Sequence, residues 1–309
     1  VFVIWQVSAC SCDVLMGVRR HVWMCIMNRR NTKPEMGLIG LVIMGGPMAK
    51  NLQNAGFSLH ICDYDESALK ALADTGARIA KSGKDVAEAA DIIIIMVPDT
   101  PHVEAVLFGD QGVATGLTKG QLVVDMSSIS PGATIEFAKQ INELGCDYLD
   151  APVSGGAPKA ITGELSIMVG GPQAAFDRAG PLFNVMGGTV TLIGERNGDG
   201  QVCKVANQML VGTMTSCVAE ALLFASKSGA DPETVRTALL GGAAKSIILE
   251  LHGQRMIDRN FSPAFRAELQ RKDLGLAVEA AKDIGLYLPG ATASWQLYNA
   301  CIAGGDGTN

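Results

Sequence analysis

From residue 35 onward the chain alternates short apolar runs with helical spacings, and that alternation admits few folds. EMGLIG is an apolar strand that runs into glycine. IMGGPMAKNLQNAG then sets Ile43, Met44, Met48 and Leu52 at helical spacing and stops at Gly56. FSLHICD is a second strand, ending at Asp63, and ESALKALADTG is helical again. ADIIIIMVPD is wholly apolar, the pattern of a strand buried on both faces. QLVVDMSS is a further strand, and SPGATIEFAKQINELG a helix with Ser130 as its cap and Pro131 in its first turn. CDYLDAPVS and ELSIMVGG complete the strands. This βαβα rhythm predicts a parallel, doubly wound sheet.

After about residue 196 the strands stop. DGQVCKVANQMLVGTMTSCVAEALLFASKSG reads as one helix from about Gly200 to Gly229, roughly 40 Å long at 1.5 Å per residue. DPETVRTALLGG restarts with Asp231 as cap and Pro232 in the first turn, and two more helical patterns follow. The expected architecture is a Rossmann-type α/β doubly wound domain followed by an all-α C-terminal domain, joined by the long helix. Its divisions are 1–32, 33–196 and 197–309.

Residues 1–32 differ from the rest, with two of the three tryptophans and three of the eight cysteines. The arginines Arg19 and Arg20 follow the apolar stretch instead of preceding it, the wrong order for a secretory signal. The segment is read as extraneous to the fold, with Met27 as a plausible start. The net charge of −6, with no basic stripe beyond residue 33, argues against a nucleic-acid partner. No apolar run reaches the ~18–20 residues of a membrane span. The cysteines are scattered, without a C-x-x-C pair or a histidine cluster. That suits free thiols in a reducing cytoplasm and no metal site.

The first strand-to-helix turn carries the chemistry. GLIGLVIMGG approaches the spacing G-x-G-x-x-G, which lets a backbone wrap a pyrophosphate, with Gly40 first and Gly45 third. Val42 stands where the second glycine belongs, and its branched side chain is expected to resist a positive φ and crowd a phosphate. Asp63, 18 residues after Gly45, is placed to grip a ribose hydroxyl.

Four segments together resemble the β-hydroxyacid dehydrogenase family, which includes the 3-hydroxyisobutyrate dehydrogenases. They are GLIGLVIMGGPMAKNL, DAPVSGG (150–156), GQVCKVANQ (200–208) and QRKDL (270–274). The resemblance runs from about residue 35 to 305. It implies a small semialdehyde or β-hydroxy acid as substrate. Within the family, the chain is most similar to members that reduce tartronate semialdehyde (2-hydroxy-3-oxopropionate) to glycerate. The alternative is a 3-hydroxyisobutyrate or related semialdehyde dehydrogenase.

The resemblance also implies roles. Lys204 would be the proton donor, in an apolar stretch whose burial lowers its pKa, with Asn207 beside it on the helix. Ser154, Gly155, Gly156 and Ser127 would bind the substrate. Gly40, Leu41, Val42, Ile43, Met44, Gly45, Asp63, Val97, Pro98, Thr100 and Lys272 would bind the cofactor. NAD(H) is preferred over NADP(H), because Tyr64 stands where many relatives carry an arginine that can meet a 2′-phosphate. The chain is further expected to form a homo-oligomer, a dimer or a tetramer. A reading of a different class is a folded, non-catalytic remnant with impaired cofactor binding, suggested by Val42 and by a C-terminus shorter than the family's. An imine reductase is disfavoured by Lys204.

Overall fold

The computed structural model describes residues 33–262, 265–305 and 307; the expectations for residues 1–32 lie outside them. Strands β1 (Met36–Ile39), β2 (Leu59–Cys62), β3 (Arg78–Ile79), β4 (Ile92–Ile95), β5 (Leu122–Asp125) and β6 (Asp147–Asp150) pair in parallel in the order β3-β2-β1-β4-β5-β6. That order places a topological switch point between β1 and β4, where such sheets bind ligands beyond the strand ends.

Both faces of this sheet are covered. Ile92 and Ile94 join one apolar cluster, with Met48 and Leu52 of α1 (Gly45–Asn54). Ile93 and Ile95 join the other, with Val86 of α2's successor α3 (Gly83–Ala89; α2 is Glu66–Ala73) and Val103 and Leu107 of α4 (Thr100–Phe108). Phe137 and Ile141 of α5 (Pro131–Glu143) complete that second face. Each fully buried isoleucine is worth about 1.5–3 kcal/mol. The α5 cap is as expected: Ser130 Oγ accepts from Ala133 N, with Pro131 at the first turn.

The far edge is not parallel. CDYLDAPVS is two elements, β6 and β7 (Val153–Ser154), separated at Ala151–Pro152. Proline cannot donate to a ladder, so the strand breaks there. After α6 (Gly156–Thr162) the chain returns as β8 (Leu165–Gly170), antiparallel to both β6 and β7. Helix α7 (Gln173–Met186) and strand β9 (Gly187–Gly194), which pairs in parallel with β8, were not anticipated from the sequence.

Helix α8 (Asp199–Lys227) has 29 residues. It is followed by α9 (Pro232–Leu240), capped by Asp231 as expected, and by a π-helical segment, Ile248–His252. Then come α10 (Gly253–Ile257), α11 (Ala267–Asp283) and α12 (Pro289–Ala303). Helix α8 packs against α11, α12 and the β8 edge, so from Glu35 onward the chain forms one compact unit.

Among the described residues, α8 is long and apolar enough to cross a membrane by length and composition. Its polar residues are spread out, so the average stays apolar although no uninterrupted apolar run exists. Its buried positions include Gln201, Lys204 and Gln208, whereas Val202, Leu210, Leu223 and Phe224 are exposed.

Candidate active site

Strand β1 delivers the chain into the glycine turn, which two close contacts hold tight. A Cβ added at Gly40 would lie 2.1 Å from Met96 O, and one at Gly45 would lie 1.8 Å from Gly40 O. Only glycine fits at either position. Gly40 also has a φ of 92°, in the region that glycine adopts freely. At the start of α1, Met44 provides no side-chain cap, and no acidic residue occupies the first turn. Gly46 N donates to Leu41 O at 2.6 Å, Pro47 carries no N–H and Met48 N donates to Met44 O, so the helix end draws an anion through its dipole and the Gly45 amide.

Val42 does not behave as the sequence suggested. The positive φ falls one residue later, at Ile43, with a value of 62°. Met44 N donates to Val42 O across 2.7 Å, so Ile43 is the centre of a γ-turn. A β-branched residue is strained there. Val42 and Ile43 are 52% and 56% exposed, so both face away from the core. Asp63, just past β2, closes the turn: Oδ2 accepts from Leu41 N at 2.5 Å and Oδ1 from Asp65 N at 2.8 Å. The residues present thus fit a dinucleotide at the glycines, the helix end and Asp63. The branched pair Val42 and Ile43 at the outer face of the turn is the misfit.

Lys204 is buried in the second turn of α8, at 7% exposure. Its Nζ donates to Gln208 Oε1 at 3.0 Å, and Asn207 Nδ2 donates to the same oxygen at 2.8 Å. Gln208 Nε2 donates in turn to Asp273 Oδ2 at 2.5 Å. Burial brings the Lys204 amine down to about 8; Asp273 opposes the fall and Lys272 adds to it. At neutral pH such an amine is mostly charged, yet it releases its proton readily.

Sequence reasoning chose Asn207, at i+3, as the companion of Lys204. It missed Gln208 at i+4, although that spacing also places two side chains together. Asp273, beside Lys272, was missed as well; its link to Lys204 runs through Gln208 from another helix.

Lys272 Nζ reaches across from α11 to donate to Pro98 O at 3.1 Å and Ser128 O at 2.5 Å, and it lies 3.0 Å from Asp273 Oδ1. It thus ties the helical part to the loops after β4 and β5. Thr100 Oγ1 accepts from Ser130 N at 3.1 Å. Ser127 is fully buried, with its Oγ accepting from Val97 N at 3.0 Å and its own N donating to Asp125 Oδ1. It braces two loops and offers no surface to a substrate, contrary to the expectation. Asp125 below it also accepts from Tyr148 Oη, and burial pushes its carboxyl up to about 7. Ser154 pairs with Ser166 of β8. Gly155 and Gly156 follow it at φ values of 130° and 65°.

Comparison with known proteins accords with this geometry. Residues 35–194 match the family model described as the NAD binding domain of 6-phosphogluconate dehydrogenase. Residues 198–309 match the one described as the NAD-binding domain of NADP-dependent 3-hydroxyisobutyrate dehydrogenase. The chain is 55% identical over 271 residues to 2-hydroxy-3-oxopropionate reductase of Escherichia coli, covering 88% of this chain and 92% of that protein. It is 37% identical to 2-(hydroxymethyl)glutarate dehydrogenase of Eubacterium barkeri, covering 88% and 91%. Among solved structures, 3-hydroxyisobutyrate dehydrogenase of Salmonella typhimurium superimposes with a TM-score of 0.80 at 31% identity, covering 89% and 96%. A glycine-framed turn, a buried lysine on the long helix and these similarities lead to one conclusion: the chain belongs to the β-hydroxyacid dehydrogenase family of NAD(P)-dependent oxidoreductases.

Proposed function

We propose that the chain reduces tartronate semialdehyde (2-hydroxy-3-oxopropionate) to glycerate. The observation that carries the chemistry is the Lys204 amine, buried, held by Gln208 and brought down to about 8. Reduction of an aldehyde adds a hydride to carbon and a proton to oxygen. The nicotinamide supplies the hydride when bound. Lys204 supplies the proton to the carbonyl oxygen as negative charge develops there, with Asn207 beside it to orient the substrate. Ser154, Gly155 and Gly156 offer a hydroxyl and backbone N–H groups to the substrate carboxylate. The choice of substrate is supported by the 55% identity to the Escherichia coli reductase.

Gly40, Leu41, Val42, Ile43, Met44 and Gly45 would line the pyrophosphate, with Val97, Pro98, Thr100 and Lys272 along the loops beyond it. Asp63 would meet the ribose hydroxyls. NAD(H) is favoured, because Asp63, Asp65 and Glu66 are acidic and the fully exposed Tyr64 brings no cation for a 2′-phosphate. Residues 33–196 would form the dinucleotide domain and 197–309 the helical one, a division supported by the two family matches. A homo-oligomer is supported by the exposed apolar side of α8 (Leu210, Leu223, Phe224), which a second copy would cover. A cytoplasmic location is supported by the described cysteines, all free.

The test is a panel of tartronate, methylmalonate and succinate semialdehydes, each with NADH and NADPH. The highest kcat/KM is expected for tartronate semialdehyde with NADH. A higher value for methylmalonate semialdehyde would move the chain to the 3-hydroxyisobutyrate type. A preference for NADPH would overturn the cofactor assignment.

A further inference from the structure

We propose that Asp150 and Gln201 are positioning residues for Lys204: they seat the first turn of α8 on the ends of β5 and β6 and so fix how deep the amine is held. A helix leaves its first N–H groups without partners inside the helix. At the start of α8, Asp199 N donates to Arg196 O just before the helix, and two further amides are met from another element. Gly198 N donates to Asp150 Oδ1 at 2.7 Å and Gln201 N to Asp150 Oδ2 at 2.9 Å, and Asp150 is the last residue of β6. The Gln201 side chain makes a second attachment. Its Oε1 accepts from Ile129 N at 3.2 Å, and its Nε2 donates to Ser127 O at 2.8 Å. Asp150 and Gln201 are both fully buried.

The seat has no room for a side chain. A Cβ at Gly200 would lie 2.5 Å from Met168 O and 2.8 Å from both Asp150 O and Asp150 Oδ2. A Cβ at Gly170 would lie 2.6 Å from Gly200 N. Burial pushes the Asp150 carboxyl up to about 6 while the two amides hold it down. The positive end of α8 is what compensates a charge at this depth.

Gln201, Lys204 and Gln208 recur at i, i+3 and i+7, on one buried face of α8. The bonds of Gln201 therefore set the rotation and height of the face that carries the amine. Higher up, the charged groups facing Lys204 are Asp273 and Lys272, both on α11. If the first turn lifts from its seat, Lys204 moves toward water and away from the geometry that proton transfer needs. Its midpoint then rises from about 8 toward the ordinary 10.5. The effect on turnover rests on the reading of Lys204 as proton donor, but the effect on its titration does not.

The test uses two variants that change no charge. Gln201→Met keeps the length and removes both side-chain bonds. Gly200→Ala wedges a methyl group between α8 and Asp150. Leu182→Ala, in α7 and against the other side of the sheet, controls for loss of stability alone. The Lys204 side-chain resonance is followed by NMR in lysine-labelled protein without dinucleotide, and assigned with Lys204→Arg. A rise of about one pH unit in the Lys204 midpoint is expected in either seat variant that folds, with none in Leu182→Ala. A fall in kcat of about 10- to 100-fold at little-changed KM should accompany it. An unchanged midpoint in both seat variants, or an equal shift in Leu182→Ala, overturns the proposal. Full turnover in Lys204→Ala would instead overturn the proton-donor reading and leave the titration result standing.

Discussion

The glycine turn and the first turn of α8 both deliver a helix N-terminus toward strand ends, and they are built in opposite ways. At the glycine turn no side chain caps α1, and Val42 and Ile43 point outward. At α8, Asp150 takes two of the first amides, and the Gln201 side chain bonds to the loop after β5. The glycine turn meets its amides with backbone oxygens and Asp63 and leaves its outer face uncapped for a ligand. A turn made to place a side chain satisfies its amides within the protein. At the exposed Val42 a substitution is thus felt in binding, whereas at Gly40 and Gly45 it also strains the fold. At the first turn of α8 it is felt in both.

The largest expected effect breaks the α8 side of that contrast. Lys204→Ala should lower kcat about 10²- to 10⁴-fold, while the dissociation constant for NADH, read by fluorescence titration, stays within about twofold. Retention of more than a tenth of the activity would mean that another group donates the proton.

The next effect reads the same lysine through stability. Below pH 8 Lys204 is charged in both folded and unfolded chains, and the full cost of burying the charge weighs on the fold. Between about 8 and 10.5 the unfolded chain binds more protons than the folded one, so stability rises with pH. Lys204→Met should therefore be more stable than the parent at pH 7, by up to about 3 kcal/mol less whatever Gln208 and Asp273 lose as partners. That advantage should shrink as pH rises above 8. Denaturant melts at several pH values check it. An advantage that grows with pH would contradict a lowered pKa.

On the glycine side, Val42→Gly should tighten NADH binding. Strain and crowding of this kind cost roughly 1–3 kcal/mol, or very roughly 5- to 150-fold in affinity. Equal dissociation constants would show that the turn has already adapted to valine. The smallest effect separates strain from crowding. Ile43→Asn, at φ 62°, should stabilise the free protein by about 0.5–1 kcal/mol, because asparagine tolerates that region better. An unchanged melting temperature would mean that the γ-turn stores no strain.

These two regions also differ in how far the sequence discloses them. The glycine spacing, the apolar Ile92–Ile95 strand and the caps at Ser130 and Asp231 are local signals, and each appears in the structure where its residues place it. Lys204 could be expected to be buried from its apolar neighbours. Asp150 could not be read as its support, because its partners are backbone amides 48 and 51 residues away and leave no side-chain pattern. The break at Pro152 splits one run into two strands that keep a common direction, both antiparallel to β8, and β9 with its glycines carried little alternation. The shift of the positive φ from Val42 to Ile43 depends on the closing contacts at Gly40 and Gly45, which only the folded turn reveals.

The bond from Lys204 to Gln208 governs where protons can travel. The amide oxygen of Gln208 is too weak a base to take a proton from the amine, and its nitrogen is the side turned toward Asp273. Asp273 therefore stabilises the charge on Lys204 without draining it. The amide works as an insulator between acid and carboxylate. A proton given to a substrate is then replaced by way of solvent and not from Asp273, so the interval between turnovers includes a recharging step that this carboxylate cannot shortcut.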